Sequence, residues 1–334
     1  MRAARELRRI VASSPRGRGT ATRAGAAVVV LLLAVAVTPG IMSLLSFRSM
    51  LLLASFLGIA SFGQTLCVLI GGIDLSIPFV IDATNVGTLW LTNHGVPSGV
   101  AVVVVLAIAV VFGMVNGLVS HRVKGQAVVV TLGVGYIVLG GMEVVASIGS
   151  STNGAVFGTV PAWVTSLASL KTPVLGLPVP PSALVFVAMA VALTVWLRRT
   201  WFGRGVYALG GNPVAAQRLL VPDRSIWMTV FALSALMSGV VGVLLLGFSG
   251  GAVANVGDPY LFMTVAAVAV GGSSLAGGYG SIGYTVVGVV ILTLLSSVLV
   301  GSVLSEPMQQ VVLGLIIVPA VAAYGRSPHP RAQV

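Results

Sequence analysis

Charge is scarce in this chain: 7% of its residues are Asp, Glu, Lys or Arg, against about a quarter in a soluble domain. Seven acidic residues are too few to solvate a surface or to build a repeated carboxylate site. There is one cysteine, Cys67, set in an apolar run. A disulfide framework and a cysteine-based metal site within the chain are thereby excluded. The three histidines, His94, His121 and His329, lie between or beyond the apolar runs, so neither a metal cluster nor a His-based triad is supported. No segment reads Gly-x-x-x-x-Gly-Lys-Ser/Thr; a nucleotide-driven process would need its P-loop on another chain.

What is abundant is apolar surface. Hydrophobic residues make up 57% of the sequence and mean hydropathy is +1.08. Apolar runs of about twenty residues follow one another, the length a helix needs to cross a hydrocarbon core of about 30 Å. Strand-like alternation is missing, which argues against a barrel. The reading is an all-α polytopic membrane protein with about ten transmembrane helices. Runs separated by polar or Gly/Pro breaks place spans near 24–46, 49–72, 75–92, 99–120, 126–148, 182–198, 226–248, 260–272, 281–302 and 307–324. The membrane domain is thus 24–324, preceded by a basic arm, 1–23, and followed by a tail, 325–334. The run from Ala24 is too long for a secretory leader and is read as the first span.

A net charge of +11 could suggest nucleic acid, but the cations sit at the edges of apolar runs rather than on a soluble module. Ten spans with both termini cytoplasmic put sixteen of the eighteen basic residues inside, leaving Arg48 and Lys171 outside. This is the asymmetry of the positive-inside rule, and missing one span would reverse every later loop. The outer segment 149–181, with Asn153, Gly154 and several prolines, is the longest loop on its side. Its inner counterpart is 198–225. There, the stretch from Pro213 to Leu220 reads as a short helix with Asn212 as cap and Pro213 in first position.

Polar residues inside apolar runs mark a candidate path. Among carboxylates, Asp74 and Glu143 fall near span ends, where water is in reach, and Asp82 lies well within a span. Gln64, Asn85, Asn116 and Thr131 offer neutral donors and acceptors suited to a hydroxylated solute, although helix packing and helix–helix hydrogen bonding are the default explanation of such residues. Gly71-Gly72-Ile73-Asp74-Leu75-Ser76 is read in two ways. It is a turn in which Asp74 or Ser76 caps the next helix, or a helix break whose polar backbone lines a path; the turn is the simpler.

These residues resemble a known family, the ribose-type (monosaccharide) permeases of ABC importers. The resemblance runs from about 50 to 325. It rests on Gly71 through Ser76, on Val115-Asn116-Gly117 followed by Val130-Thr131-Leu132-Gly133, on Gly210-Gly211-Asn212-Pro213 with Ala215-Ala216, and on Gly271-Gly272-Ser273-Ser274-Leu275-Ala276-Gly277-Gly278. Gly71, Gly72, Gly271, Gly272, Gly277 and Gly278 stand as its structural glycines. The resemblance implies a permease subunit in the bacterial plasma membrane that pairs with a second permease. It further implies a cytoplasmic ABC ATPase, which would hold the ATP and Mg, and an extracytoplasmic solute-binding protein. The chain itself would bind no cofactor. Gly210, Gly211, Asn212, Pro213, Ala215, Ala216 and Arg218 would form the coupling helix that docks on the ATPase. The alternative is a stand-alone secondary carrier or channel, for which intramembrane charge pairs would be expected.

Overall fold

The computed structural model describes residues 43–123, 126–147, 156–170, 179–252, 255–301, 304–305, 308–309, 311–315 and 318. Eleven helices occupy them. The basic arm, nearly all of span 24–46, Lys124, Asn153, Lys171, Glu306 and the tail lie outside the described residues, as does most of span 307–324.

Helix α1, Leu44–Leu69, begins at Ser43, whose hydroxyl accepts the Ser46 N–H at 3.1 Å. The helix expected from 49 therefore starts earlier, at Leu44, and Arg48 lies within α1 rather than in a loop. From Ala54 onward every residue of α1 is buried. Helix α9, Asp223–Ser249, is enclosed in the same way. Around this pair stand α3 (Ser98–Arg122), α4 (Ala127–Ser147) and α6 (Pro181–Arg199), apolar helices of membrane-spanning length with few buried residues. Valines and leucines on the outer faces of such helices are solvated by lipid tails rather than water. Helix α11, Ile282–Val300, is half-buried against α1 and completes six helices long enough to cross.

Close approach between α3 and α9 is set by small residues. A methyl group added at Gly113 would lie 2.5 Å from the carbonyl oxygen of Phe231, and one at Gly117 2.5 Å from that of Trp227. With Ala109 buried one turn earlier, this is a small-xxx-small stripe, the means by which helices gain van der Waals contact where lipid supplies no hydrophobic drive.

Two elements are shorter than a span. Helix α2, Ile77–Asn93, has 17 residues, and α10, Tyr260–Val270, has 11. At about 1.5 Å per residue they rise about 25 Å and 16 Å. Non-helical backbone makes up the difference: Gly71–Ser76 before α2, and residues 250–252 and 255–259 before α10.

The two ends of the bundle differ. One end gathers Leu69, Arg122, Arg198, Arg199, Arg204, Arg218 and Arg224, held together by Gly278 N–H to Leu69 O at 2.9 Å and His121 Nε2 to Asp223 Oδ2 at 3.1 Å. The opposite end joins Asn93 to Phe157 O at 2.9 Å and Trp163 Nε1 to Ser98 Oγ at 2.9 Å. Trp163 belongs to α5, Ala162–Leu167, a short helix in the segment expected to be loop. The inner loop is also corrected. Most of 198–225 is helical, as α7 (Trp201–Gly211) and α8 (Pro213–Arg218). Glycines at 203 and 205 argue against a helix by propensity, but each sits where a side chain would strike a neighbour, Leu197 backbone and Ile226 respectively. Packing therefore overrides propensity there.

Candidate translocation path and docking surface

The Gly71–Ser76 segment separates α1 from α2, with glycine ending α1 as the turn reading expects, and Gly72, Asp74 and Ser76 are buried in the bundle. Gly71, at φ +82°, ends α1, and the Gly72 N–H returns to Cys67 O at 2.9 Å. The chain then continues without regular structure to Ser76. Asp74 is 2% exposed, which corrects the expectation that it reaches water. Its Oδ1 accepts the Ser76 N–H at 2.9 Å and the Ser76 hydroxyl at 2.5 Å, and its Oδ2 accepts the Ser234 hydroxyl at 2.7 Å. Asn116 Nδ2 donates to Ser76 Oγ at 2.8 Å, and the Leu75 N–H donates to Thr131 Oγ1 at 3.0 Å. Ser76 precedes α2 without a capping bond from its own side chain, so neither Asp74 nor Ser76 caps α2 in the expected manner. Three helices, α3, α4 and α9, thus clamp one strand of irregular backbone. Asn116 lies six residues before the end of α3 and Ser234 eleven after the start of α9. At about 1.5 Å per residue, the clamp sits about 9–16 Å inside the cation-rich end.

A second break approaches from the opposite end. Asp82 of α2, also 2% exposed, accepts the Gly257 N–H on Oδ1 at 2.7 Å. Gly257 fits against the Pro78 carbonyl, where any side chain would collide. Helix α10 therefore starts beside the first turns of α2. Neighbouring Asn85 donates to Gly242 O at 3.2 Å.

Not every polar atom in this seam is used by the fold. Asp82 Oδ2, Asn85 Oδ1, Asn116 Oδ1 and both amide atoms of fully buried Gln64 have no hydrogen-bond partner among the described residues. Such atoms are costly in an apolar interior, and they give the seam acceptor and donor capacity that the protein leaves unspent. All described cations lie at the bundle ends, so the seam carries carboxylates and amides without a positive partner. Of the sequence candidates, the structure brings Asp74, Asn116 and Thr131 into one clamp and Asp82 with Asn85 onto one helix; Gln64 stands on α1. Ser234 and the Gly257 amide had no sequence signal beyond polarity or glycine within apolar surroundings. Among the described residues, no three His, Cys, Asp or Glu side chains converge as for a metal.

At the cation-rich end, α8 forms as its cap residues dictate. Asn212 Oδ1 accepts the Ala215 N–H at 3.0 Å, with Pro213 in the first position. Ala216 is buried and Ala215 exposed, while Val214, Leu219 and Leu220 project, Leu220 being 88% exposed. Arg218 is exposed beside them. Behind α8, three backbone segments meet with no side chain between them. Any side chain at Gly210 would strike Leu69 O and Gly278 N, and one at Gly277 would lie 2.9 Å from Gly71 N. Gly277 and Gly278 hold φ of +91° and +73°, left-handed values that favour glycine. Gly271 and Gly272 end α10; Gly271 abuts the Tyr284 carbonyl and Gly272 has φ +94°. A continuous path of backbone contact thus links the base of α8 to the Gly71–Ser76 break.

Comparison with known proteins agrees with this architecture. The family model described as the permease component of the branched-chain amino acid transport system matches residues 46–321. The autoinducer 2 import system permease protein LsrD of Escherichia coli K12 is 28% identical over 273 residues, covering 82% of each chain. The proteins of the same name from Shigella flexneri and Escherichia coli O157:H7 match at the same identity and coverage. No solved structure matches. With most of its length inside the matched span, the chain belongs to the family of ABC-importer permease components, transport subunits of the inner membrane rather than enzymes.

Proposed function

We propose that this permease carries a small, neutral, hydroxylated solute of the sugar type through the seam between the two helix breaks. The observation that carries the reading is the set of buried, unspent polar atoms on Gln64, Asp82, Asn85 and Asn116, together with the placement of every described cation outside the seam. Hydroxyl groups satisfy amide and carboxylate oxygens without a countercharge. An amino acid would bring a carboxylate, which in a low-dielectric interior needs a cation or a cluster of donors. Relatives named for autoinducer 2 import fit a non-amino-acid solute.

The energy source is a separate cytoplasmic ATPase, docked on α8. Small, exposed Ala215 lets a groove on the partner close over the helix, Val214 and Leu219 supply apolar contact, and Arg218 fixes register. Movement of α8 reaches the Gly71–Ser76 break through Gly210 and Gly278, whose backbone contacts leave no compressible side chain between. The assembled importer contains two permeases, two ATPases and an extracytoplasmic binding protein, with the cation-rich end of each permease in the cytoplasm.

The test is purification of the tagged chain from native membranes in mild detergent, beside an A215R/A216R variant. Recovery of an ATPase with the native chain, and its loss from a variant that still elutes as a folded species, supports the docking assignment. Uptake in proteoliposomes containing the whole complex then asks about the solute. ATP-dependent accumulation inhibited by neutral sugars and indifferent to leucine or valine supports the reading; inhibition by amino acids alone overturns it.

A further inference from the structure

Between the C-terminus of α6, helix α7 and the start of α11 lies an open cavity of about 540 Å³, lined by Arg198, Arg204, Tyr207, Tyr279, Ser281 and Tyr284. Neither guanidinium has an acidic partner among the described residues. The carboxylate of Asp223, at the same end of the bundle, is paired with His121. The cavity also adjoins the first turn of α11, where the Ser281 hydroxyl accepts the Tyr284 N–H at 3.2 Å and the helix end carries partial positive charge. Tyr207 bonds to Gly280 O at 3.0 Å and so fixes α7 against this turn. Burial raises the Tyr207 phenol above its ordinary range while the nearby Arg198 charge opposes the shift.

We infer that this cavity binds the phosphate group of an anionic membrane lipid. Two features select a lipid over a phosphate free in solution. Leu184, Val187, Val191 and Val195 are exposed at three- and four-residue spacing on α6, and Arg198 continues the same stripe three residues on. The acyl chains of a lipid lying along this stripe would deliver its head group to the guanidinium. Trp201, 57% exposed at the start of α7, marks this level as the membrane interface, where tryptophan is enriched. Basic pockets between transmembrane helices at the interface are the usual receptors for such head groups.

The experiment is native mass spectrometry of the full-length chain released from nanodiscs of equal phosphatidylglycerol and phosphatidylcholine. Wild type retains phosphatidylglycerol over phosphatidylcholine on the order of ten-fold, and R198Q/R204Q abolishes the preference. R218Q/R224Q, which removes two cations from the same end but away from the cavity, retains it; R198K/R204K, which preserves charge, retains most of it. Should the double glutamine variant fail to survive extraction, R204Q alone, an exposed change on α7, is expected to weaken the preference several-fold. Absence of a preference in wild type, or its equal loss in the control pair, overturns the site. Stripping of the lipid by millimolar inorganic phosphate, with phosphate adducts that vanish in R198Q/R204Q, would assign the cavity to free phosphate and overturn the lipid assignment.

Discussion

Asp74 and Asp82 show how two carboxylates of equal burial differ in what they do for the fold. Asp74 satisfies three donors, the Ser76 amide, the Ser76 hydroxyl and the Ser234 hydroxyl, and each would be stranded by Asp74→Ala. A buried donor left without its partner costs about 1–3 kcal/mol, so Asp74→Ala is expected to lower the unfolding midpoint of the detergent-purified chain by many degrees and to abolish uptake. Ser234→Ala leaves only Oδ2 unpaired and should cost about 1–3 kcal/mol. Asp82 accepts the Gly257 amide on Oδ1 with the Asn255 and Val256 amides facing the same carboxylate, and its second oxygen has no partner among the described residues. Asp82→Asn preserves an acceptor for the Gly257 amide. Its expected result is a midpoint close to wild type with uptake reduced at least ten-fold, measured in parallel by thermal unfolding and by solute accumulation; equal loss of stability in Asp82→Asn and Asp74→Ala would show that both residues are structural. Polarity in an apolar run made both aspartates visible from sequence. Their division of labour was not visible, because it depends on Ser234 and Gly257, which are 160 and 175 residues distant in the chain.

At the scale of elements, long apolar helices were the readable part. α1, α3, α4, α6, α9 and α11 lie within a few residues of the runs that predicted them, since twenty apolar residues in lipid have few alternatives to helix. The cap of α8 was equally legible, being local chemistry. What could not be read was α7, whose glycines look like loop, and the depth of the two breaks, which arises from contacts across the bundle. Those contacts make a sharp comparison between neighbouring glycines. Gly210 has no room for a side chain, whereas a methyl group at Gly211 would meet nothing within 4 Å. Gly210→Ala must displace the Leu69 carbonyl or the 277–278 turn, and should uncouple ATP hydrolysis by the complex from uptake. Gly211→Ala should leave both within a factor of about two, since a helix-terminal alanine costs little. The same contrast holds on the outer helices. Gly113→Ala and Gly117→Ala press on α9 backbone at 2.5 Å, while Gly133 and Gly140 of α4 face open space. Each of the first pair is expected to lower the midpoint markedly, and alanines at the second pair to be neutral or to stabilise by up to about 1 kcal/mol through helix propensity.

Across the whole molecule, a single feature of the charge distribution governs orientation. Arg122, Arg198, Arg199, Arg204, Arg218 and Arg224 share one end of the bundle, and the other end of the described structure holds Arg48. Because six cations would have to cross the membrane to invert the chain, we propose that this end faces the cytoplasm. The prediction can be tested with little interference from the protein itself, since its single cysteine, Cys67, is buried and should be silent toward membrane-impermeant maleimides. Leu220, 88% exposed behind α8, and Phe157, 76% exposed at the opposite end, are suitable positions for single cysteines. Leu220→Cys should label in inside-out vesicles and resist label in intact spheroplasts, with Phe157→Cys showing the reverse. That pattern would place α8 where an ATPase can reach it and the 156–170 segment where a binding protein can. Labelling of Leu220→Cys in intact spheroplasts would invert every loop, put the phosphate cavity in the outer leaflet, and leave α8 facing away from any source of ATP.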